Sequence, residues 1–161
     1  MFKKLILGAA LAATLSTTHA TDAYAKSQQC LPIGGVAIAN FFDEGEGKPM
    51  VIAAVLTGSV QSAAGKITGQ RKTETGLEMD MEHYFTSDTG GTIYTKDLGI
   101  LTAVPGKEGR FMMEISYHIQ EGFGRGTLRG YKGSFKSFGL VDLRDTKDLK
   151  GLVRYSGEIC K

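Results

Sequence analysis

Residues 77–85 read Leu-Glu-Met-Asp-Met-Glu-His-Tyr-Phe, and their side chains alternate strictly between two sets. The first set is largely apolar and consists of Leu77, Met79, Met81, His83 and Phe85. The second set is largely charged and consists of Glu78, Asp80, Glu82 and Tyr84. Because successive side chains of a β-strand point to opposite faces of the sheet, this period of two predicts a half-buried strand.

The same alternation returns further along the chain. In residues 110–119 the apolar set consists of Phe111, Met113, Ile115, Tyr117 and Ile119. Shorter apolar segments predict further strands at residues 35–41, 50–57, 66–73, 92–96, 127–132, 138–143 and 152–159. Residues 50–57 fit a strand buried on both faces or a helix, and their β-branched residues between Pro49 and Gly58 favour the strand. Turn signals lie at residues 43–49, 87–91, 105–109 and 121–126.

This succession of short strands predicts an all-β domain. After residue 25, no segment longer than ten residues has an apolar face at helical spacing, and residues 142–151 fit either a helical turn or a charged hairpin loop. Eight or nine strands predict a single antiparallel β-barrel of about eight strands, with a β-sandwich as the alternative. The 22 glycines support the barrel, because tight hairpins, bulges and coiled strands need glycine conformations and close backbone contacts.

Length and composition exclude several classes of protein. A chain of 161 residues fits one domain, and 42% hydrophobic residues is too many for a disordered chain. The formal net charge of +2 gives no electrostatic basis for binding nucleic acid. We therefore expect one globular domain without a nucleic-acid partner.

The first 25 residues have the features of a cleaved secretory signal peptide. Lys3 and Lys4 precede an apolar stretch at residues 5–15, and small residues at Ala23 and Ala25 favour cleavage after residue 25. We expect an exported protein, periplasmic or secreted, whose mature domain is residues 26–161. The apolar stretch is too short to span a bilayer, and no later one is longer, so we expect no membrane association after cleavage.

The two cysteines lie at opposite ends of the predicted mature domain. In an oxidising compartment, two cysteines in one small domain most simply pair with each other, which predicts a Cys30–Cys160 disulfide. A free thiol and an intermolecular bridge are the alternatives. A disulfide between the first and last strands fits a closed barrel, in which those strands are neighbours.

Candidate catalytic chemistry is sparse in this sequence. Glu78, Asp80 and Glu82 share one strand face and could bind a metal or act as a base, but a solvated outer face is favoured. His118 with Glu114 is interpreted as a surface pair. Residues 122–126 resemble a phosphate-binding loop but lack its Gly-Lys-Ser/Thr, and the basic residues that follow are interpreted as solvated strand positions. We predict no metal and no cofactor.

The glycine and aromatic spacing of residues 119–139 carries a family resemblance. Gly122, Gly124, Gly130, Gly133, Phe135 and Gly139 resemble a segment of the small barrels related to allene oxide cyclase and dirigent proteins. Residues 91–95 and 155–157 are similar to the same pattern, whereas Glu121 and Lys132 depart from it. The resemblance implies an eight-stranded antiparallel barrel with a cavity for a small apolar molecule, and it transfers no catalytic residues.

These observations lead to one main functional hypothesis and two alternatives. We expect the barrel to bind a small hydrophobic ligand or to act as an accessory binding module. The alternatives are a cofactor-free isomerase or cyclase assisted by His83 or a nearby carboxylate, and a secreted protein-interaction or inhibitor module. A homo-oligomer is compatible with all three. The predicted ligand-cavity residues are Met79, Met81, His83, Phe85, Phe111, Met113 and Tyr117.

Overall fold

A computed structural model describes residues 29–145 and 147–161, so the predicted signal peptide at residues 1–25 lies outside the described residues. The described chain forms eight β-strands and one short 3₁₀ helix. The strands are β1 (Cys30–Phe42), β2 (Val51–Leu56), β3 (Ser62–Lys72), β4 (Gly76–Thr86), β5 (Thr92–Ala103), β6 (Arg110–Ile119), β7 (Lys132–Asp142) and β8 (Leu149–Cys160). The 3₁₀ helix is Gly126–Leu128, between β6 and β7.

The eight strands form one closed antiparallel barrel, as the sequence predicts. Each strand pairs with its neighbours in the chain, and β1 closes the barrel by pairing with β8. Cys30 and Cys160 are directly opposite in this last pair and form a disulfide across 130 residues of chain. The barrel and the disulfide are therefore confirmed, and the sandwich alternative is wrong.

Several predicted strand boundaries are corrected by the structure. The strand predicted at residues 92–96 continues to Ala103, because its inward side chains keep alternating beyond Lys96. The strand predicted at residues 127–132 is wrong: glycines with positive φ at positions 126 and 130 bend this segment into the 3₁₀ helix and a turn. The strand at residues 50–57 is buried on one face only, since Val55 on the other is 71% exposed. Residues 143–145 and 147–148, between β7 and β8, belong to neither strand.

The two ends of the barrel differ. At the end that holds the disulfide, Val60 from the β2–β3 loop and Leu128 from the 3₁₀ helix are buried. Tyr155 on β8 ties the same loop down by donating a hydrogen bond from its hydroxyl to the Thr57 carbonyl at 2.6 Å. This end is therefore closed by buried side chains. The opposite end is bordered by the loops at residues 43–50, 73–75 and 104–109 and by the described residues between β7 and β8.

The outer surface has a charged side and an apolar side. On β3 and β4, basic and acidic side chains form ion pairs. Across β2, β1, β8, β7 and β6, one row of exposed apolar residues follows the strand register and consists of Val55, Ile38, Leu152, Leu140 and Met112. No helix in residues 29–145 and 147–161 is long and apolar enough to cross a bilayer.

Candidate ligand site in the barrel lumen

The barrel lumen contains two adjoining apolar spaces. The inner space, here called the chamber, has a cavity volume of about 40 Å³. The second space, here called the mouth, has a volume of about 240 Å³ and lies at the end opposite the disulfide. Phe41 and Met113 line both spaces, so the mouth and the chamber adjoin at these two side chains.

The chamber exists because several inward-facing positions hold small side chains, while other positions around it hold rings. The small residues come from β1, β2, β3 and β8 and are Ala37, Ala39, Ala54, Ala63 and Gly151. The rings come from β1, β4, β6 and β8 and belong to Phe41, His83, Phe85, Tyr117 and Tyr155. Eight strands enclose an interior just wide enough to be filled by side chains, so a patch of alanines leaves space at that level of the barrel.

His83 and Asp97 form a buried hydrogen-bonded pair in the chamber wall. They point inward from the neighbouring strands β4 and β5, and His83 Nδ1 lies 2.6 Å from Asp97 Oδ2. Their side chains are 6% and 0% exposed. Since an ionised carboxylate can only accept, we assign the Nδ1 proton to the imidazole, which donates it to Asp97. His83 lines the chamber, and Asp97 lies behind it.

Asp97 is incompletely satisfied within the described part of the chain. Its Oδ1 atom is buried and has no hydrogen-bond partner there. Burial raises the pKa of this carboxyl, and the hydrogen bond to His83 acts in the opposite direction. A buried carboxylate with a free oxygen costs free energy, so packing alone does not explain an aspartate at this position.

Tyr117 supplies the second polar group of the chamber wall. Its hydroxyl and the Ser137 hydroxyl are 3.1 Å apart, and both side chains are buried. Burial raises the pKa of Tyr117, which keeps the phenol protonated and able to donate a hydrogen bond. The Tyr117 ring meets the His83 ring edge-on, with 5.7 Å between their centroids, and stacks on Phe135 at 4.5 Å. These contacts hold the imidazole and the phenol in fixed relative positions.

The structure places most of the predicted cavity residues on the lumen wall. Met81, His83, Phe85, Met113 and Tyr117 line the chamber. Met79 lines the mouth together with Met113. Phe111 is half-buried at the start of β6, packs against the core, and lines neither space. That these residues contact a ligand stays a prediction.

Sequence reasoning missed Asp97 and the alanine side of the chamber. Asp97 was missed because the predicted strand ended at residue 96, directly before Asp97, whereas β5 continues to Ala103. The available signal was the continued alternation of Ile93, Thr95, Asp97, Gly99 and Leu101, which places the carboxylate on the inward face. The alanines carried no signal of their own, since small side chains occur equally in cores and on surfaces.

The acidic cluster predicted on the outer face lies there. Arg71 forms ion pairs with Glu78 and with Asp80, the latter at 2.9 Å. Glu82 accepts from Lys66 at 2.8 Å and from the Tyr94 hydroxyl at 2.5 Å. The Lys66 and Tyr94 hydrogen bonds lower the pKa of Glu82. Each of these carboxylates has a protein partner, which explains the cluster as surface ion pairing.

The remaining candidate groups also lie outside the lumen. His118 is exposed on β6. Glu158 lies close to Cys30 and Cys160, but the disulfide engages both sulfur atoms and leaves no thiolate to bind a metal. The His83–Asp97 pair offers two ligand groups, whereas protein sites for transition metals usually supply three or four.

Comparison with known protein families, with curated proteins and with solved structures gave no match.

Proposed function

We propose that the barrel binds one small, neutral and mainly apolar molecule in its lumen. The molecule enters through the mouth and places a hydrogen-bonding group against His83. The observation that carries this proposal is the imidazole itself. Nδ1 is held by Asp97, and within the described residues the other ring nitrogen, Nε2, has no protein partner, although His83 lines the chamber.

The size of the two spaces supports a small ligand. A chamber of about 40 Å³ has room for a small polar group, because one water needs roughly 10–15 Å³ on this scale. The mouth, at about 240 Å³, is lined mostly by Met, Leu, Val and Phe side chains and suits an apolar body. Drug-sized ligands occupy pockets of about 300–1,000 Å³, so the expected ligand is smaller than these.

The charge of the lining supports a neutral ligand. Among the residues that the structure describes, those lining the chamber and the mouth include no lysine or arginine. An anionic headgroup would therefore meet the Asp97 carboxylate behind His83 with no cation to balance it, and burying an unpaired charge is costly. A carbonyl or hydroxyl group can hydrogen-bond His83 without this cost.

A fluorescence titration with matched variants tests lumen binding. The probe is a small, neutral, environment-sensitive naphthalene dye, added to the oxidised mature protein. Ala54→Leu fills the chamber from β2, and Ala53→Leu places the same atoms on the exposed outer face of the same strand. We expect saturable binding to wild type and to the Ala53 variant, and at least tenfold weaker binding to the Ala54 variant. Equal affinity for both variants would exclude the chamber from the binding site.

We also propose that the protein is exported, as its leader sequence predicts. The Cys30–Cys160 disulfide supports export, because structural disulfides persist mainly in oxidising compartments. Intact-mass measurement on protein expressed with its leader tests this. We expect a chain that begins at Lys26 and has lost the two hydrogens of its thiols. A cytosolic chain with residues 1–25 still attached would contradict the proposal.

A further inference from the structure

The His83–Asp97 pair has the arrangement of an oriented general base. A carboxylate that accepts from Nδ1 fixes the tautomer in which the lone pair is on Nε2, and it stabilises the imidazolium that forms when Nε2 takes up a proton. The 2.6 Å separation of Nδ1 and Oδ2 is that of a strong, charge-assisted hydrogen bond. His83 can therefore accept a proton from a molecule in the chamber.

The surroundings of the pair favour such a role over a structural one. Asp97 is fully buried and keeps one oxygen without a partner in the described residues. Replacing a buried polar pair by apolar side chains of similar volume is often neutral or stabilising, so a barrel core gains little from it. In an apolar, water-poor space, however, a fixed base and a fixed donor act with little solvent screening.

The chamber also holds a neutral hydrogen-bond donor. Tyr117 lines the same space as His83, and its hydroxyl is positioned by Ser137. A phenol of this kind stabilises an oxygen that becomes negative when the carbon next to its carbonyl loses a proton. A base, a neutral donor and an apolar lining together select a neutral carbonyl compound as the substrate class.

We propose that His83 moves a proton between two carbons of a small, neutral, mainly apolar carbonyl compound. The C–H bond next to the carbonyl breaks, its electron pair enters the enolate, and the proton binds Nε2. Tyr117 donates a hydrogen bond to the enolate oxygen. The Nε2 proton then returns to a different carbon, so the net reaction is an isomerisation that needs no oxidant, reductant or cofactor. Asp97 acts as a positioning residue, and the inference rests on the proposed lumen binding.

The test substrate is cyclohex-3-enone, a small neutral ketone whose double bond moves into conjugation when one proton is transferred. Its conversion to cyclohex-2-enone is followed by absorbance and, in D₂O, by NMR. We expect saturable conversion by the oxidised mature protein, faster than by free imidazole at the same concentration. His83→Ala is expected to lower kcat at least about 100-fold, within the usual range for removal of a general base.

Two further variants separate catalysis from folding. Added imidazole is expected to restore part of the activity of His83→Ala, because it can occupy the vacated space; a purely structural histidine would not be rescued. Asp97→Asn is expected to lower kcat at least tenfold with KM unchanged, as for a positioning residue. If added imidazole does not raise the activity of His83→Ala, the role of His83 as the general base is overturned.

Binding is measured in the same samples by displacement of the naphthalene dye with cyclohex-2-enone. Displacement without any isomerisation of cyclohex-3-enone above the imidazole background would overturn the proton-transfer proposal and leave lumen binding intact. If neither the dye nor the ketone binds wild type, lumen binding itself fails. Saturable isomerisation together with displacement supports both.

Discussion

Gly65 on β3 provides the space in which the His83 ring lies. A Cβ atom at position 65 would fall 2.3 Å from His83 Cδ2 and 2.5 Å from the Glu82 carbonyl oxygen. Both distances are far below van der Waals contact, and the second atom belongs to the backbone of β4, which is held by its ladder with β5. The His83 imidazole can therefore occupy its position only because Gly65 has no side chain.

Gly65→Ala is expected to destabilise the barrel by about 1–3 kcal/mol, the usual cost of forcing extra volume into a packed core. The variant should also weaken the His83–Asp97 hydrogen bond, because the ring is the movable obstacle. Urea denaturation measures the first effect. Gly69→Ala on the same strand is the control, since its Cβ would meet the end of the Asp80 side chain at 3.1 Å, and this side chain can move aside. Equal destabilisation by both variants would contradict the close packing of Gly65 against His83.

Asp97 gives a pH dependence of stability that can be isolated by substitution. Burial raises the pKa of Asp97 in the folded protein above its value in the unfolded chain, which is about 3.9. At pH values between these two pKa values, the unfolded state therefore binds fewer protons at this residue than the folded state does. The contribution of Asp97 to the free energy of unfolding therefore falls as pH rises between the two pKa values, by at most about 1.4 kcal/mol per pH unit. The titratable groups near Asp97 are His83 on β4, Tyr94 on β5, and Tyr117 and His118 on β6.

Asp97→Asn removes the loss of stability that rising pH causes at this residue, because an amide does not ionise. We expect its free energy of unfolding, relative to wild type, to rise as pH increases from about 3.5 to 7. Urea titrations at several pH values provide the comparison, with Asp88→Asn in an exposed turn as the control. A difference between Asp97→Asn and wild type that is constant across this pH range would show that burial does not raise the pKa of Asp97.

At the scale of single elements, periodicity predicted strands well and failed where backbone geometry decided the structure. The alternation in residues 77–85 predicted which side chains of β4 point inward, because a strand with one buried face allows only one register. Residues 127–132 contain apolar and β-compatible side chains, but glycines with positive φ on either side of Leu128 impose a turn. The pairing of His83 with Asp97 could not be predicted from the sequence, because it depends on the register between two strands.

The 3₁₀ helix is expected to be part of the core, although it lies in the segment that connects β6 and β7. Leu128 is buried at the closed end of the barrel, whereas Phe123 in the same connection is about half exposed. Leu128→Ala should therefore cost about 2–5 kcal/mol in the free energy of unfolding, as for other buried leucines. Phe123→Ala should cost less than 1 kcal/mol by the usual behaviour of surface substitutions. Comparable losses in the two variants, measured by urea denaturation, would show that Leu128 does not close this end.

At the scale of the whole molecule, closure of the barrel depends on β1 and β8, the strands farthest apart in the chain. They pair over residues 30–41 and 149–160 without a break in register. Closure removes the exposed strand edges that would otherwise recruit other chains. The disulfide joins the outermost pair of this seam, at the closed end and away from the mouth. The covalent bridge and the mouth therefore lie at opposite ends of the barrel.

This separation predicts that the disulfide affects stability and leaves lumen binding intact. In the chain-entropy description, a bridge across 130 residues stabilises the fold by up to about 5 kcal/mol. A variant with Cys30→Ser and Cys160→Ser should therefore unfold at lower urea concentration, while its far-UV circular dichroism and its affinity for the naphthalene dye stay those of wild type, because the β1–β8 hydrogen bonds still close the barrel. An unchanged unfolding midpoint would contradict the stabilising role. Loss of dye binding at temperatures where the variant is folded would show that the closed end also shapes the lumen.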